Sequence, residues 1–345
     1  MNIKKVNFSS SSTTFYFAYG ISHLKEIVDV KQSIFLVDES VFAQHQIRFK
    51  DWKVIALKPG EKYKTQATVD SIIKQLIAIG ADRKTTLIGV GGGVVTDITG
   101  YVASIFMRGI KFGFLPTTIL AIVDASIGGK NGIDIGVYKN MVGTINQPAF
   151  ILHDLIFLNT LPEIEWQNGF AEIIKHACIK DADMFAELEA NSLKKYQQKK
   201  TLLCDLIQRN ALLKTNVVIK DEFETGDRKL LNFGHTFGHA IENTYKLSHG
   251  YAVSIGMVVA CMISESFQNF KDTNRVVKLI KKYGLPVHQS YNAKKVIDIM
   301  KSDKKKVKNV INYVLLQKIG KAVVQPIAIR EVENIIKQLE SSNIS

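Results

Sequence analysis

A chain of 345 residues is long enough to bury a full core and to divide into two domains. With 46% hydrophobic and 22% charged residues it reads as a globular protein, which excludes a disordered or fibrous chain. The formal charge of +13 asks for an anionic partner, but the lysines are dispersed. The dense group Lys194 to Lys200 reads as a solvated helix face, so a small anion drawn into a basic cleft is expected rather than nucleic acid.

Residues 2–7 run into serines and threonines, so no signal peptide is expected. Ser33 to Val37 is a short apolar run ending at Asp38, and Lys53 to Leu57 is another, ending at the turn pair Pro59-Gly60. Val69 to Ile79 has helical periodicity and stops at Gly80. Thr85 to Val90 is strand-like and enters Gly91-Gly92-Gly93. Phe112 to Leu115 and Ala149 to Leu152 complete a series of strands alternating with helices. That alternation predicts an α/β unit with a mostly parallel sheet. After Pro162 long amphipathic segments dominate, among them Ala182 to Leu193 and Thr201 to Ile219, and strand signals nearly vanish until Ile311 to Leu316. The expected division is an α/β domain over 1–161 and a mainly α-helical domain over 162–345. The longest apolar run, Ala252 to Ile263, is short for a membrane span and reads as a buried helix. Cys178, Cys204 and Cys261 are far apart and form no CxxC, which predicts a reducing, cytoplasmic setting with no disulfide framework.

Two segments point to chemistry. Gly89-Val90-Gly91-Gly92-Gly93 leads from a strand into a helix, where backbone N–H groups and the helix dipole favour a phosphate; the structural alternative is a tight turn that packs helix on sheet. The segment Asn232 to Glu242, with His235 and His239, is followed by His249-Gly250. His235 and His239 are four apart and share a helix face, so by spacing they look like a ligand pair that needs a carboxylate or thiolate from elsewhere. The alternative is a pair of hydrogen-bonded core histidines.

The whole set of motifs resembles the 3-dehydroquinate synthase family. The resemblance runs through Pro59-Gly60-Glu61 with Lys64, Gly91 to Val95 with Asp97, Tyr101 to Ser104 with Met107-Arg108-Gly109, and Pro116-Thr117-Thr118. It continues in Val123 to Lys130, Lys139-Asn140, Asn168 to Glu172 with Lys175, Asp221-Glu222 with Gly226 and Arg228, Asn232 to His239, His249-Gly250 and Asp303-Lys304-Lys305. The resemblance implies metal ligands Glu172, His235 and His249 for zinc or cobalt, and moves His239 from the ligand pair to proton transfer. For NAD it implies Asp38, the loop Pro59, Gly60, Glu61, Lys62, Tyr63 and Lys64, and the turn Gly93, Val94, Val95, Thr96 and Asp97. Thr117, Thr118, Lys130, Lys139 and the segment Phe157, Leu158, Asn159 and Thr160 complete that set. For substrate it implies Asp124, Lys130, Asn140, Lys175, Lys214, Arg228, Asn232, and Lys304 or Lys305, with Lys214 and Arg228 on a carboxylate and Lys130, Asn140 and Asn232 on a phosphate. Arg108 resembles an arginine that crosses to a neighbouring subunit, which implies a homodimer.

The implied reaction turns a seven-carbon sugar acid phosphate into a carbocycle by transient oxidation, phosphate elimination, re-reduction and aldol closure. Two positions depart from the family pattern. Thr96 stands where glycine is usual, and its β-branch restricts the backbone beside the pyrophosphate turn. Tyr251 stands where glutamate usually follows His-Gly, which alters the surroundings of the third ligand. The alternative reading is another sugar phosphate cyclase, acting on sedoheptulose 7-phosphate or glucose 6-phosphate. Polyol dehydrogenases, which need no phosphate-binding set, lie further off.

Overall fold

A computed structural model describes residues 2–136, 138–302 and 310–341. The chain forms two compact units: Met1–Glu165 with Cys204–Phe223, and Trp166–Leu203 with Glu224–Ser345. The segment Cys204–Phe223, well beyond residue 161, thus packs with the first unit.

The first unit is built on strands β1 (Asn2–Asn7), β2 (Ser12–Phe17), β3 (Ser33–Asp38), β4 (Lys53–Leu57), β5 (Thr86–Gly91) and β6 (Lys111–Pro116). β7 (Lys130–Ile135), β8 (Tyr138–Ile145) and β9 (Phe150–His153) follow. Seven of them form one sheet in the order β1-β2-β9-β6-β5-β3-β4, parallel except for the β1–β2 pair. β7 and β8 form a separate antiparallel pair. The central strands read as continuous apolar runs because both of their faces are covered. Ile34 and Leu36 of β3 join one core with Leu87, Phe112 and Phe114, while Phe35 and Val37 join the other with Ile88, Val90 and Leu115. Alternate residues of one strand thus supply two cores.

Helices α1 (Glu39–His45), α2 (Gln66–Ile79) and α3 (Gly93–Ile105) connect the strands. The start of α2 is capped by Thr65, and the helix ends where Gly80 turns left-handed at φ +77°, as its periodicity predicts. From β3 the chain passes to β4 on one side and returns as β5 on the other. That reversal opens a crevice at the carboxyl ends of β3 and β5, the usual ligand position in such sheets. Asp38 ends β3 and Gly91 ends β5. A Cβ at Gly91 would lie 2.6 Å from the Val95 side chain, so this glycine lets α3 sit directly on the strand.

The second unit is mainly helical: α4 (Glu163–Lys180), α5 (Ala182–Ala190), α6 (Leu193–Gln198), the start of α7 (Lys200–Lys220), α8 (His235–Tyr245), α9 (His249–Gln268), α10 (Thr273–Lys282) and α11 (Ala293–Ser302). Hairpin β10 (Val310–Lys318) and β11 (Lys321–Ala328) precedes α12 (Ile329–Ser341). The segment expected as one helix over Ala182 to Leu193 breaks at Asn191, because Ser192 is extended and caps α6 by accepting from Lys195 N–H. The apolar run Ala252 to Ile263 lies inside α9, which spans 20 residues. By length and composition α9 could cross a membrane, but its apolar residues are buried within this unit.

Candidate active site

Glycines decide how the second unit assembles its cluster. A Cβ at Gly256 of α9 would lie 1.9 Å from the carbonyl oxygen of Gly234, the left-handed residue that starts α8. A Cβ at Gly250 would lie 2.4 Å from Asn168 Cα of α4. Backbones at these crossings touch, so α8, α9 and α4 meet more closely than side chains would allow. Gly250 N–H also donates to Asn168 Oδ1 at 3.1 Å, and Tyr251 Oη donates to Gln167 Oε1 at 2.7 Å. The departure at Tyr251 thus becomes a second tie between the start of α9 and α4.

Glu172 of α4, His235 of α8 and His249 of α9 each offer a ligand atom within 4.8 Å of the others. Glu172 is fully buried, with Oε1 3.6 Å from His235 Nε2 and 3.4 Å from His249 Nε2. His235 Nδ1 lies 3.2 Å from the carbonyl of Phe233. A carbonyl only accepts, so Nδ1 carries the proton and Nε2 turns its lone pair inward. His249 Nδ1 lies 3.3 Å from Glu242 Oε2. Buried carboxylate and paired imidazoles, each ring held at its outer nitrogen, fit a catalytic zinc or cobalt set.

The Lys175 ammonium, itself buried, contacts Glu172 Oε2. Burial, aided by Lys175, pulls His235 well below the ordinary imidazole value. Burial also acts downward on His249, but hydrogen bonds and charges from Glu172 and Glu242 outweigh it and push it up to about 10.

His239 shares a face of α8 with His235, as the spacing predicts, with ring centroids 5.1 Å apart. Its ring is exposed and lies 6.4 Å from that of His249. His239, Glu242 and His249 form a second possible ligand group that shares His249. Sequence reading missed Glu242, although its spacing of three from His239 on a helix was a usable signal. It also missed Glu224, which adopts φ +59° and accepts from Asn232 Nδ2 at 2.9 Å. Arg228 and Asn232 lie on the short 3-10 segment Asp227–Asn232, Arg228 buried and Asn232 exposed.

Most of the residues expected for a dinucleotide lie just past the carboxyl ends of β3, β4, β5, β6 and β9 in the first unit. Asp38 caps α1, its Oδ1 accepting from Ser40 N–H at 2.8 Å. The start of α3 has no side-chain cap, so the N–H groups of its first turn face the glycine loop without a carboxylate or hydroxyl partner at Gly92. Thr117 N–H donates to Gly91 O at 3.0 Å, and Thr118 packs beside Gly92. Thr96 is buried and its Oγ1 donates to Gly93 O at 2.9 Å, so the family's missing glycine is absorbed within the helix. Phe157, Leu158, Asn159 and Thr160 lie in the 3-10 segment Leu155–Thr160, with Thr160 Oγ1 3.1 Å from His45 Nε2. The sequence carried no sign of His45.

Around the loop after β4, Gly60 is left-handed at φ +102°, and Tyr63 has the ammonium of Lys62 5.0 Å from its ring centroid. Lys64 is buried, with Nζ 2.5 Å from Asp97 Oδ2 and 4.0 Å from Glu61 Oε1. Burial works against the Lys64 charge, but Asp97 and Glu61 overcome it and raise its pKa. Burial raises Asp97 to about 6, against the pull of Lys64. Lys214 of α7 donates to Asp124 Oδ1 at 2.7 Å and to the Asp124 carbonyl at 2.6 Å. Lys130 and Lys139 are exposed at the β7–β8 pair, and Arg108 is exposed at a left-handed φ of +67°. Lys304 and Lys305 lie outside the described residues.

Fold and clusters define a class: an open, mostly parallel sheet with a glycine-rich crevice, carried with a helical unit that holds a carboxylate–bis-histidine cluster. The family model for the 3-dehydroquinate synthase N-terminal region matches residues 54–168, and that for the C-terminal region matches 169–306. The 3-dehydroquinate synthase of Leptospira interrogans is 40% identical over 303 residues, 84% of each chain. The chain belongs to the 3-dehydroquinate synthase family. Among solved structures, a 2-deoxy-scyllo-inosose synthase complexed with carbaglucose-6-phosphate, NAD+ and Co2+ shares the fold at TM-score 0.86 and 24% identity, covering 98% of this chain and 99% of that one. ValA, a 2-epi-5-epi-valiolone synthase from Streptomyces hygroscopicus with NAD+ and Zn2+ bound, does so at TM-score 0.87 and 24% identity, with the same coverage.

Proposed function

We propose that the chain is a phosphate-eliminating carbon–oxygen lyase. It converts 3-deoxy-D-arabino-heptulosonate 7-phosphate to 3-dehydroquinate and phosphate. The observation that carries this reading is the gathering of Glu172, His235 and His249 within 4.8 Å in a member of this family. Bound NAD would supply a reversible hydride acceptor, and zinc or cobalt a Lewis acid for vicinal hydroxyls. Glu172, His235 and His249 hold the metal. Asp38, the Gly60–Lys64 loop and the first turn of α3 hold the dinucleotide.

The chain's own groups then orient the substrate and move its proton. Arg228 takes the substrate carboxylate in a two-point contact suited to a planar guanidinium, with Lys214 kept in place by Asp124. Lys130, Asn140 and Asn232 bind the phosphate, and Glu224 holds the Asn232 amide. Lys175 adds positive charge beside Glu172. His239, exposed on the ligand face of α8, takes the hydroxyl proton and returns it. Lys304 or Lys305 adds a further cation.

An assay of phosphate release from the seven-carbon acid phosphate tests this. Release should need only trace NAD, with no stoichiometric NADH. NADH matching product would instead make the chain a polyol dehydrogenase. The second reading, a cyclase for a neutral sugar phosphate, is favoured by the fold neighbours, and release from sedoheptulose 7-phosphate alone would select it.

The working form is a homodimer in this reading. β8 is exposed along almost its whole length and carries Tyr138 at 65% and Met141 at 71% exposure. Ile105, at the end of α3, and Met107, beside Arg108 in the 3-10 turn that follows, are exposed. A strand this apolar and uncovered is an open edge for pairing, and a second copy would cover it. Light scattering should give twice the chain mass of 38.6 kDa, and Met141→Glu should shift it toward one chain. A wild-type protein that scatters as a single chain removes the dimer.

A further inference from the structure

Within the first unit a closed ring of hydrogen bonds joins the loop after β4 to the β7–β8 hairpin. Lys64 Nζ donates to Asn140 Oδ1 at 2.5 Å as well as to Asp97. The Lys64 carbonyl accepts from Asp134 N–H at 2.8 Å. Asp134 Oδ1 in turn accepts from Asn140 N–H at 2.8 Å. Asn140 stands at φ +55°, a left-handed conformation that costs an L residue energy and needs support from its surroundings.

This ring sets which way the Asn140 amide faces. An ammonium can only donate, so its contact fixes Oδ1 toward Lys64 and makes Nδ2 the outward end. Nδ2 is a donor, as phosphate recognition requires. Asp134 would repel a phosphate directly. Its Oδ1 is instead directed at the Asn140 backbone, so it acts through that residue.

We propose that Asp134 is a positioning residue for phosphate recognition. It locks the Asn140 backbone in the left-handed conformation from which Lys64 can orient the amide. The inference rests on the acid-phosphate reading above and adds a residue to it. It also makes Lys64 the shared link between Asp97, at the start of α3, and the phosphate-binding hairpin.

Two probes test it on the full chain with NAD present: a carbocyclic phosphonate analogue of the substrate, and the same carbocycle without the phosphonate. Asp134→Ala should weaken the phosphonate by about tenfold, the scale of one hydrogen bond to a charged carboxylate lost, and leave the other probe within about twofold. KM for the acid phosphate should rise with kcat within about threefold. Asp134→Asn should restore phosphonate binding, because its amide oxygen still accepts from Asn140 N–H. Equal weakening of both probes, no weakening, or failure of Asn to restore binding overturns the inference alone. Wild-type protein that binds neither probe removes the acid-phosphate reading and the inference with it.

Discussion

Glu172→Gln should lower phosphate release by on the order of 10³-fold, with loss of tightly bound metal. The change keeps the shape of a fully buried side chain but removes the charge that faces His235 Nε2 and His249 Nε2. Polarisation by a bound metal is worth several kcal/mol of transition-state stabilisation, and each factor of ten in rate is about 1.4 kcal/mol. The measurement pairs metal content with activity. In the wild type, zinc should also raise the melting temperature, because a ligand bound only by the folded state stabilises it; the variant should lose that rise. A variant that keeps its metal, or that works at the wild-type rate without it, removes Glu172 from the ligand set.

Arg228→Ala should weaken binding of a carboxylate-bearing phosphonate inhibitor by about 30-fold to several-thousand-fold. Truncating one partner of a buried charged contact costs about 2–5 kcal/mol. Arg228 is 2% exposed, so water cannot replace the lost contact at little cost. An inhibitor without the carboxylate should lose far less, since it never made the contact. Equal weakening of both inhibitors would strip the carboxylate role from Arg228. The choice between the acid and a neutral sugar phosphate would then rest on turnover alone.

Five of the seven sheet strands, β3, β4, β5, β6 and β9, were readable along the chain; β1 and β2 were not. β3, β5 and β6 announce themselves as apolar runs because they are buried on both faces, and α2 ends at its glycine. The β7–β8 hairpin escaped notice because β8 is exposed along most of its length and packs too little of itself to leave an apolar alternation. The glycine loop had two readings, and the packing of α3 on β5 shows the structural one. Gly91 is needed for close packing of α3 on β5, while the uncapped start of α3 remains suited to a phosphate.

Spacing alone paired His235 with His239, because four residues is one turn of a helix and both rings do share that face. Periodicity of this kind is set by neighbours along the chain, so it can be read from the chain. Whether His239 or His249 completes the cluster with His235 and Glu172 is not a local matter. It depends on where α4 and α9 run, and they run together because Gly250 and Gly256 allow their backbones to touch Asn168 and Gly234. The same holds for Asp134, Glu242 and Glu224, ordinary surface acids by sequence. Each gains its place from one hydrogen-bonding partner that only the packed structure brings within 3.3 Å.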